Sequence, residues 1–260
     1  MKYYVVDAFA EKVFQGNPAG VCVLEEKLSS ATMQRIAAEN NLSETAFVYR
    51  KSEGQYDLKW FTPKAEINLC GHATLGTAYV VKNFVDANIK DMYFDTLSGI
   101  LEVHSEGELF TLNFPSIMPD SIEIPDGLEE ALGAKPLEVY LARDMMVLLK
   151  DEEEVATLAP DFGKIAALKD GLGLIVTAKG KSADFVSRCF YPKLGVNEDP
   201  VTGSAHSNLI PYWAEKLGKK EMTAVQLSER SGTLYCEQLG ERVNMSGKGV
   251  LYLQGEIFID

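Results

Sequence analysis

Trp60-Phe61-Thr62-Pro63, then Cys70-Gly71-His72-Ala73-Thr74 opening an apolar stretch to Val81, then Ser98-Gly99-Ile100-Leu101, is a run of landmarks that the chain uses twice. Cys189-Phe190-Tyr191-Pro192, Gly203-Ser204-Ala205 and Ser231-Gly232-Thr233-Leu234 return in the same order. The spacing from Gly71 to Gly99 agrees with that from Gly203 to Gly232 to within one residue. Leu112-Asn113-Phe114 follows the first Ser-Gly as Val243-Asn244-Met245 follows the second, and Ala46-Phe47-Val48 stands before Pro63 much as Leu174-Ile175-Val176 stands before Pro192. Any single match is weak; the ordered set is the mark of a duplicated unit.

Each unit reads as strands around one buried helix, an α+β pattern. Tyr3–Val6, Phe47–Tyr49, Tyr56–Trp60, Leu109–Phe114, 173–177 and 184–190 carry the β-branched and aromatic bias of strands. Thr32–Ala38 reads as a helix with Ser29 or Ser30 as N-cap. The stretches after Gly71 and Gly203 are apolar on nearly every face, as expected of helices enclosed by other structure. Pro211 is expected to kink the second of these or to detach its first turn. Pro115, Pro119 and Pro125 mark the boundary, giving units at 1–115 and 116–249, with a last strand over 250–260 returning to complete the first unit.

With 260 residues, 46% of them hydrophobic, the chain can bury a sizeable core. A formal net charge of −13 argues against nucleic acid or an anionic membrane as partner, since both demand clustered Lys and Arg. The acidic run at residues 151–154 suits a solvated face or a first helical turn. The residues from Met1 show neither the apolar core of a secretion signal nor a transit-peptide pattern, and no apolar run reaches membrane-spanning length, so a cytoplasmic location is expected. Cys22, Cys70, Cys189 and Cys236 are irregularly spaced, form no Cys-x-x-Cys pair, and are expected to be free thiols.

The duplication directs the search for chemistry. Both buried helices open at a Gly-small-residue step, and a helix start offers unpaired N–H groups and partial positive charge for a carboxylate. Singly, Gly71 and Gly203 could serve only as tight turns. Two starts facing one cleft would grip an anionic substrate without Arg or Lys. The halves differ in their acids. Glu44 precedes a strand in the first half; the matching position in the second is Gly173. The second half has instead an insertion, Val196-Asn197-Glu198-Asp199-Pro200-Val201-Thr202, that brings Asp199 just ahead of Gly203. Two non-equivalent acids suit a general acid/base pair, although either alone would read as a cap or surface charge. His72 is placed to donate to substrate or relay a proton, or to satisfy the helix start. Neither His104 nor His206 has a second His or Cys at ligand spacing, so no zinc site is expected. Cys70 precedes Gly71, but its counterpart is Thr202, so a two-thiol racemase would lack its second thiol.

These residues carry a resemblance. Asp7-Ala8-Phe9, Phe14-Gln15-Gly16-Asn17-Pro18-Ala19-Gly20-Val21-Cys22, Leu42-Ser43-Glu44-Thr45-Ala46-Phe47, Phe61-Thr62-Pro63, Cys70-Gly71-His72-Ala73-Thr74 and Glu198-Asp199-Pro200-Val201-Thr202-Gly203-Ser204-Ala205-His206 together resemble the PhzF-like phenazine-biosynthesis family of the diaminopimelate-epimerase superfamily. The resemblance implies two related domains, each a β-barrel around a central helix, with the active site in the cleft between them. It further implies a homodimer, no metal or organic cofactor, and a small-molecule carboxylate substrate. In the family's founding activity a glutamate moves a proton on a dihydro-hydroxyanthranilate ring. That glutamate matches Glu44; family site residues match Gly71, His72, Asp199, Gly203 and Ser204. Asn17 is either a shaper of the substrate side or a turn residue. Two other readings remain: an amino-acid epimerase or racemase using Cys70, and a binding protein without turnover.

Overall fold

The computed structural model describes residues 1–87 and 89–259, and the chain divides into two compact units. Unit 1 comprises Met1–Asn113 with the chain from Ser246 onward, and unit 2 comprises Phe114–Met245. The sequence places the boundary at 115 and the return at 250. The return begins earlier because one long strand, Arg242–Glu256, carries the chain from the second unit into the first.

Unit 1 contains β1 (Lys2–Ala8), β2 (Asn17–Leu24), α1 (Ser30–Asn40), β3 (Glu44–Ser52), β4 (Gln55–Phe61), the short β5 (Glu66–Ile67), α2 (Gly71–Val80), β6 (Asp91–Thr96), β7 (Gly99–Glu106) and β8 (Leu109–Pro115). Pairing is antiparallel for β1–β2, parallel for β2–β3, antiparallel for β3–β4, parallel for β4–β6, and antiparallel for β6–β7 and β7–β8. The strand over Arg242–Glu256 pairs with both β8 and β1 and closes the ring into a barrel. Closure pairs both edges of that ring.

The helix α2 fills that barrel. His72 through Ala78 and Val80 are all buried, and α2 packs on β1, β2 and β3. A helix apolar on every face can be stable only when enclosed, since its burial replaces the amphipathic packing it lacks. On the outer face, α1 covers a smaller core of Cys22, Met33, Ile36, Phe47 and Phe61. Ser29 caps α1 by accepting from Thr32 N–H at 3.1 Å, and Asn41, left-handed at φ 50°, ends it three residues before Glu44. Gly16 has φ 68°, and a Cβ there would lie 2.1 Å from the Ala8 carbonyl oxygen, so the turn into Asn17 requires glycine.

Unit 2 contains β9 (Asp120–Ile122), α3 (Leu128–Leu132), β10 (Glu138–Leu141), β11 (Met145–Leu148), α4 (Glu152–Thr157), α5 (Phe162–Ala167), β12 (Leu174–Lys179), β13 (Phe185–Tyr191), β14 (Val196–Asp199), α6 (Gly203–Leu217), β15 (Glu221–Gln226) and β16 (Gly232–Leu239). The strand Arg242–Glu256 is β17. The pairing series repeats that of unit 1: antiparallel β10–β11, parallel β11–β12, antiparallel β12–β13, parallel β13–β15, antiparallel β15–β16. Thr45 pairs with Phe61 and Leu174 with Phe190, which makes Gly173 the register counterpart of Glu44.

Pro211 does not detach the first turn; α6 is one continuous helix from Gly203 to Leu217. Proline removes the N–H that would have bonded the Ser207 carbonyl. The Ile117 N–H takes that carbonyl at 2.9 Å, and Asn208 Nδ2 donates to the Ile117 carbonyl at 2.8 Å. Among the described residues, no helix is long and apolar enough to cross a membrane. All four cysteines are free and buried.

Candidate active site

In unit 1 the end of α1, the first residue of β3 and the first turn of α2 bring Glu44, Cys70 and His72 together. Glu44 pairs with Ala19 at the start of the parallel β2–β3 ladder, and Asn40 Nδ2 lies 3.3 Å from the neighbouring Thr45 Oγ1. His72 is the second residue of α2, and its Nε2 lies 3.1 Å from Glu44 Oε2. That contact has the distance of an ion pair but not hydrogen-bond alignment, and the buried Oε2 accepts no hydrogen bond. Cys70 Sγ lies 3.6 Å from His72 Nδ1 and 4.0 Å from Nε2.

Burial by itself disfavours a charged imidazole. The Cys70 sulfur and the Glu44 carboxylate beside the ring outweigh it and hold His72 well above its ordinary pKa. Burial pushes the Cys70 thiol up, against the lowering effect of His72. Cys70 is the N-cap of α2 but makes no side-chain cap, and the Thr74 hydroxyl and N–H both donate to its carbonyl, at 2.5 and 3.1 Å. The helix start at Gly71 thus keeps its partial positive charge for another group. Asn17 is fully buried as the first residue of β2, two residues before Ala19; it is a strand residue, and Gly16 makes the turn.

In unit 2 the structure groups Asp199, Gly203 and Ser204. The Thr202 hydroxyl donates to Asp199 Oδ2 at 2.6 Å; Gln226 holds the Thr202 N–H through Oε1 at 2.9 Å and donates through Nε2 to the Asp199 carbonyl at 2.7 Å. Thr202, like Cys70, is an N-cap whose side chain leaves the helix start uncapped. His206 Nδ1 donates to the Thr202 carbonyl at 2.8 Å, the bond that Thr74 makes in unit 1.

Two residues here escaped the sequence reading. Arg143 Nη2 donates to Ser204 Oγ at 3.0 Å, so the helix start in unit 2 does have an arginine beside it. Arg143 is in turn held by Asp144, which is 1% exposed and also accepts from the Gly173 N–H at 3.0 Å and Tyr191 Oη at 3.2 Å. A Cβ at position 173 would lie 2.1 Å from the Tyr191 ring, which explains why no side chain stands where unit 1 has Glu44. Nothing in the local sequence marks Arg143: an Arg-Asp pair in a loop reads as solvated surface.

Two units with the same strand-pairing series, each built around a buried helix with an uncapped start, define an epimerase-like α+β fold. The structure described as a predicted epimerase of Pseudomonas aeruginosa has it too, at a TM-score of 0.71 and 20% identity, covering 100% of this chain and 99% of that one. At closer range, an uncharacterized isomerase of Pseudomonas aeruginosa is 49% identical over 98% of both chains. The crystal structure of a phenazine biosynthesis protein of the PhzF family from Enterococcus faecalis is 52% identical, with a TM-score of 0.97 and 99% of each chain covered. Residues 6–255 match the family described as phenazine biosynthesis-like protein, and the chain belongs to that family.

Proposed function

We propose that this chain is a cofactor-independent isomerase that moves a proton on a small cyclic or amino carboxylate of the dihydro-hydroxyanthranilate kind, with Glu44 as base and then acid. The observation that carries the reading is Glu44 Oε2: it is buried, accepts no hydrogen bond, and has a histidine nitrogen 3.1 Å away. A carboxylate oxygen that accepts no hydrogen bond is open to take a proton from a substrate carbon. The isomerase name of a 49%-identical relative supports the coarser part of the reading.

Glu44 takes a proton from a carbon next to an unsaturated or carboxylate-bearing group, and the C–H electron pair moves into the adjacent π system. The glutamic acid so formed exchanges its proton with solvent and delivers a proton to a different carbon of the same molecule. The substrate is isomerised with no net change in electrons. His72 holds Glu44 and balances its charge. The start of α2 at Gly71 and that of α6 at Gly203, with Ser204 and Arg143, are groups suited to carboxylates. Asp199 as a second acid, Asn17 as a shaper of the substrate side, a homodimer and a cytoplasmic location belong to the same proposal. Incubation with hydroxyanthranilate-like and amino-acid carboxylates in deuterated water tests it: carbon-bound deuterium should appear with wild type and not with Glu44→Gln.

The proximity of Cys70 to His72 favours a second reading, an epimerase or racemase in which Cys70 is one base. Burial pushes that thiol up, and Thr202 stands in the partner position, both against it. Full activity in Cys70→Ser would end this reading.

A further inference from the structure

Cys70 has no part in the proton transfer proposed above, yet it stands with the two residues that do. A carboxylate oxygen of Glu44, Sγ of Cys70 and a ring nitrogen of His72 all lie within 4.8 Å of one another. His72 Nε2 is 3.1 Å from Glu44 Oε2 and 4.0 Å from Cys70 Sγ. A tetrahedral zinc ion with bonds of about 2.3 Å to sulfur and about 2.0–2.1 Å to nitrogen and oxygen needs ligand separations of about 3.3 Å (N to O) and about 3.6 Å (N to S). The first edge is already formed, the second is longer than needed by about 0.4 Å, and the sulfur and carboxylate oxygen lie within 4.8 Å of each other. Cys70 and His72 are each 6% exposed, and Glu44 Oε2 has an uncommitted lone pair in their midst.

From this geometry we infer that Glu44, Cys70 and His72 form a binding site for a thiophilic divalent cation, Zn2+ foremost, and that the bound ion inhibits the chain. The three ligands leave a fourth position open for water or a substrate carboxylate. On binding, the Cys70 S–H and His72 Nε2–H bonds break as the metal–sulfur and metal–nitrogen bonds form; both protons pass to buffer and no electron is transferred. Sulfur and imidazole select zinc over magnesium or calcium, which prefer all-oxygen sites. The binding stands independently of the reaction. The inhibition rests on the reading of Glu44 as the proton carrier, because the ion occupies the oxygen that would take the proton.

The test uses the full chain, stripped by chelator and dialysed. Titration with Co2+ should give a thiolate-to-cobalt charge-transfer band at a single equivalent, which Zn2+ then displaces. Cys70→Ser should abolish the band. His72→Asn and Glu44→Gln should weaken binding at least about tenfold, by analogy with the loss on disturbing a metal's support, with circular dichroism unchanged. His104→Ala, at the exposed His104–Asp91 pair, should leave binding intact. Zn2+ should stop deuterium uptake, and chelator should restore it. Absence of the band, or a band kept in Cys70→Ser, overturns the site. Activation by Zn2+, or undiminished uptake at saturating Zn2+, overturns the inhibition. If no substrate turns over, the cobalt spectrum still decides the site, and only the isomerase reading and its inhibition fall.

Discussion

His72 Nε2 lies 3.1 Å from Glu44 Oε2 without the alignment of a hydrogen bond, so the histidine supplies charge to the glutamate while leaving its oxygen uncommitted. A well-aligned donor would stabilise the carboxylate and blunt it as a base. The ring also packs against the carboxylate and fixes its position, so removing it should misplace Glu44 as a proton carrier more than it weakens binding. His72→Asn is expected to lower kcat on the order of 10²-fold, within the range of acid–base effects, with KM changed little. Steady-state kinetics on an active substrate checks this; a rise in KM at constant kcat would make His72 a binding residue.

Arg143 reaches Ser204 Oγ while Asp144 holds its guanidinium. In Arg143→Gln, Asp144 keeps the Gly173 N–H and Tyr191 Oη, so the fold should survive. Losing one charge-assisted contact to a substrate carboxylate costs about 1.5–3 kcal/mol, a roughly tenfold or greater rise in KM with kcat unaffected. Kinetics on a carboxylate and on its methyl ester distinguish the cases: the ester should show no such penalty.

His206 is fully buried, donates through Nδ1 to Thr202, and has no partner for Nε2. Burial lowers its pKa from 6.5 to about 4, only partly offset by the Thr202 carbonyl. The unfolded chain therefore binds more protons than the folded one between these values. The stability from His206 is complete above about pH 6.5, falls as pH drops through that value, and stops falling near pH 4. Between pH 7 and pH 5 this amounts to about 2 kcal/mol. Urea unfolding of wild type and His206→Gln at the two pH values isolates it, because the carboxylates and His72 are common to both. Equal pH dependence in the two proteins would contradict the assignment.

Leu75 in α2 and Leu209 in α6 are both fully buried in the centres of their units. Leu75→Ala and Leu209→Ala should each cost about 2–5 kcal/mol, since an enclosed helix cannot collapse onto the cavity. Denaturant unfolding reads both; a cost under about 1 kcal/mol in either would mean that the helix is not enclosed as described.

The repeat and its two apolar helices were legible because a fully enclosed helix must be apolar on every face, which leaves a plain trace around Gly71 and Gly203. Glu44 could be singled out because its strand position is matched by Gly173, and the pairing of Thr45 with Phe61 and Leu174 with Phe190 gives the same correspondence. Its contact with His72 depends on where α2 starts relative to β3, which no local pattern encodes. Arg143 was hidden for a similar reason: its role comes from a bond to Ser204, 61 residues away in sequence. At Pro211 local rules count the lost N–H but not the donor, Ile117, that arrives from elsewhere in the fold to take the freed carbonyl.

The most direct measurement of the central claim is solvent-deuterium incorporation by wild type and Glu44→Gln, followed by NMR on any carboxylate the wild type turns over. The account predicts carbon-bound deuterium with wild type and a loss on the order of 10²–10⁴-fold in the variant, with the fold retained by circular dichroism. Incorporation undiminished in Glu44→Gln would contradict it.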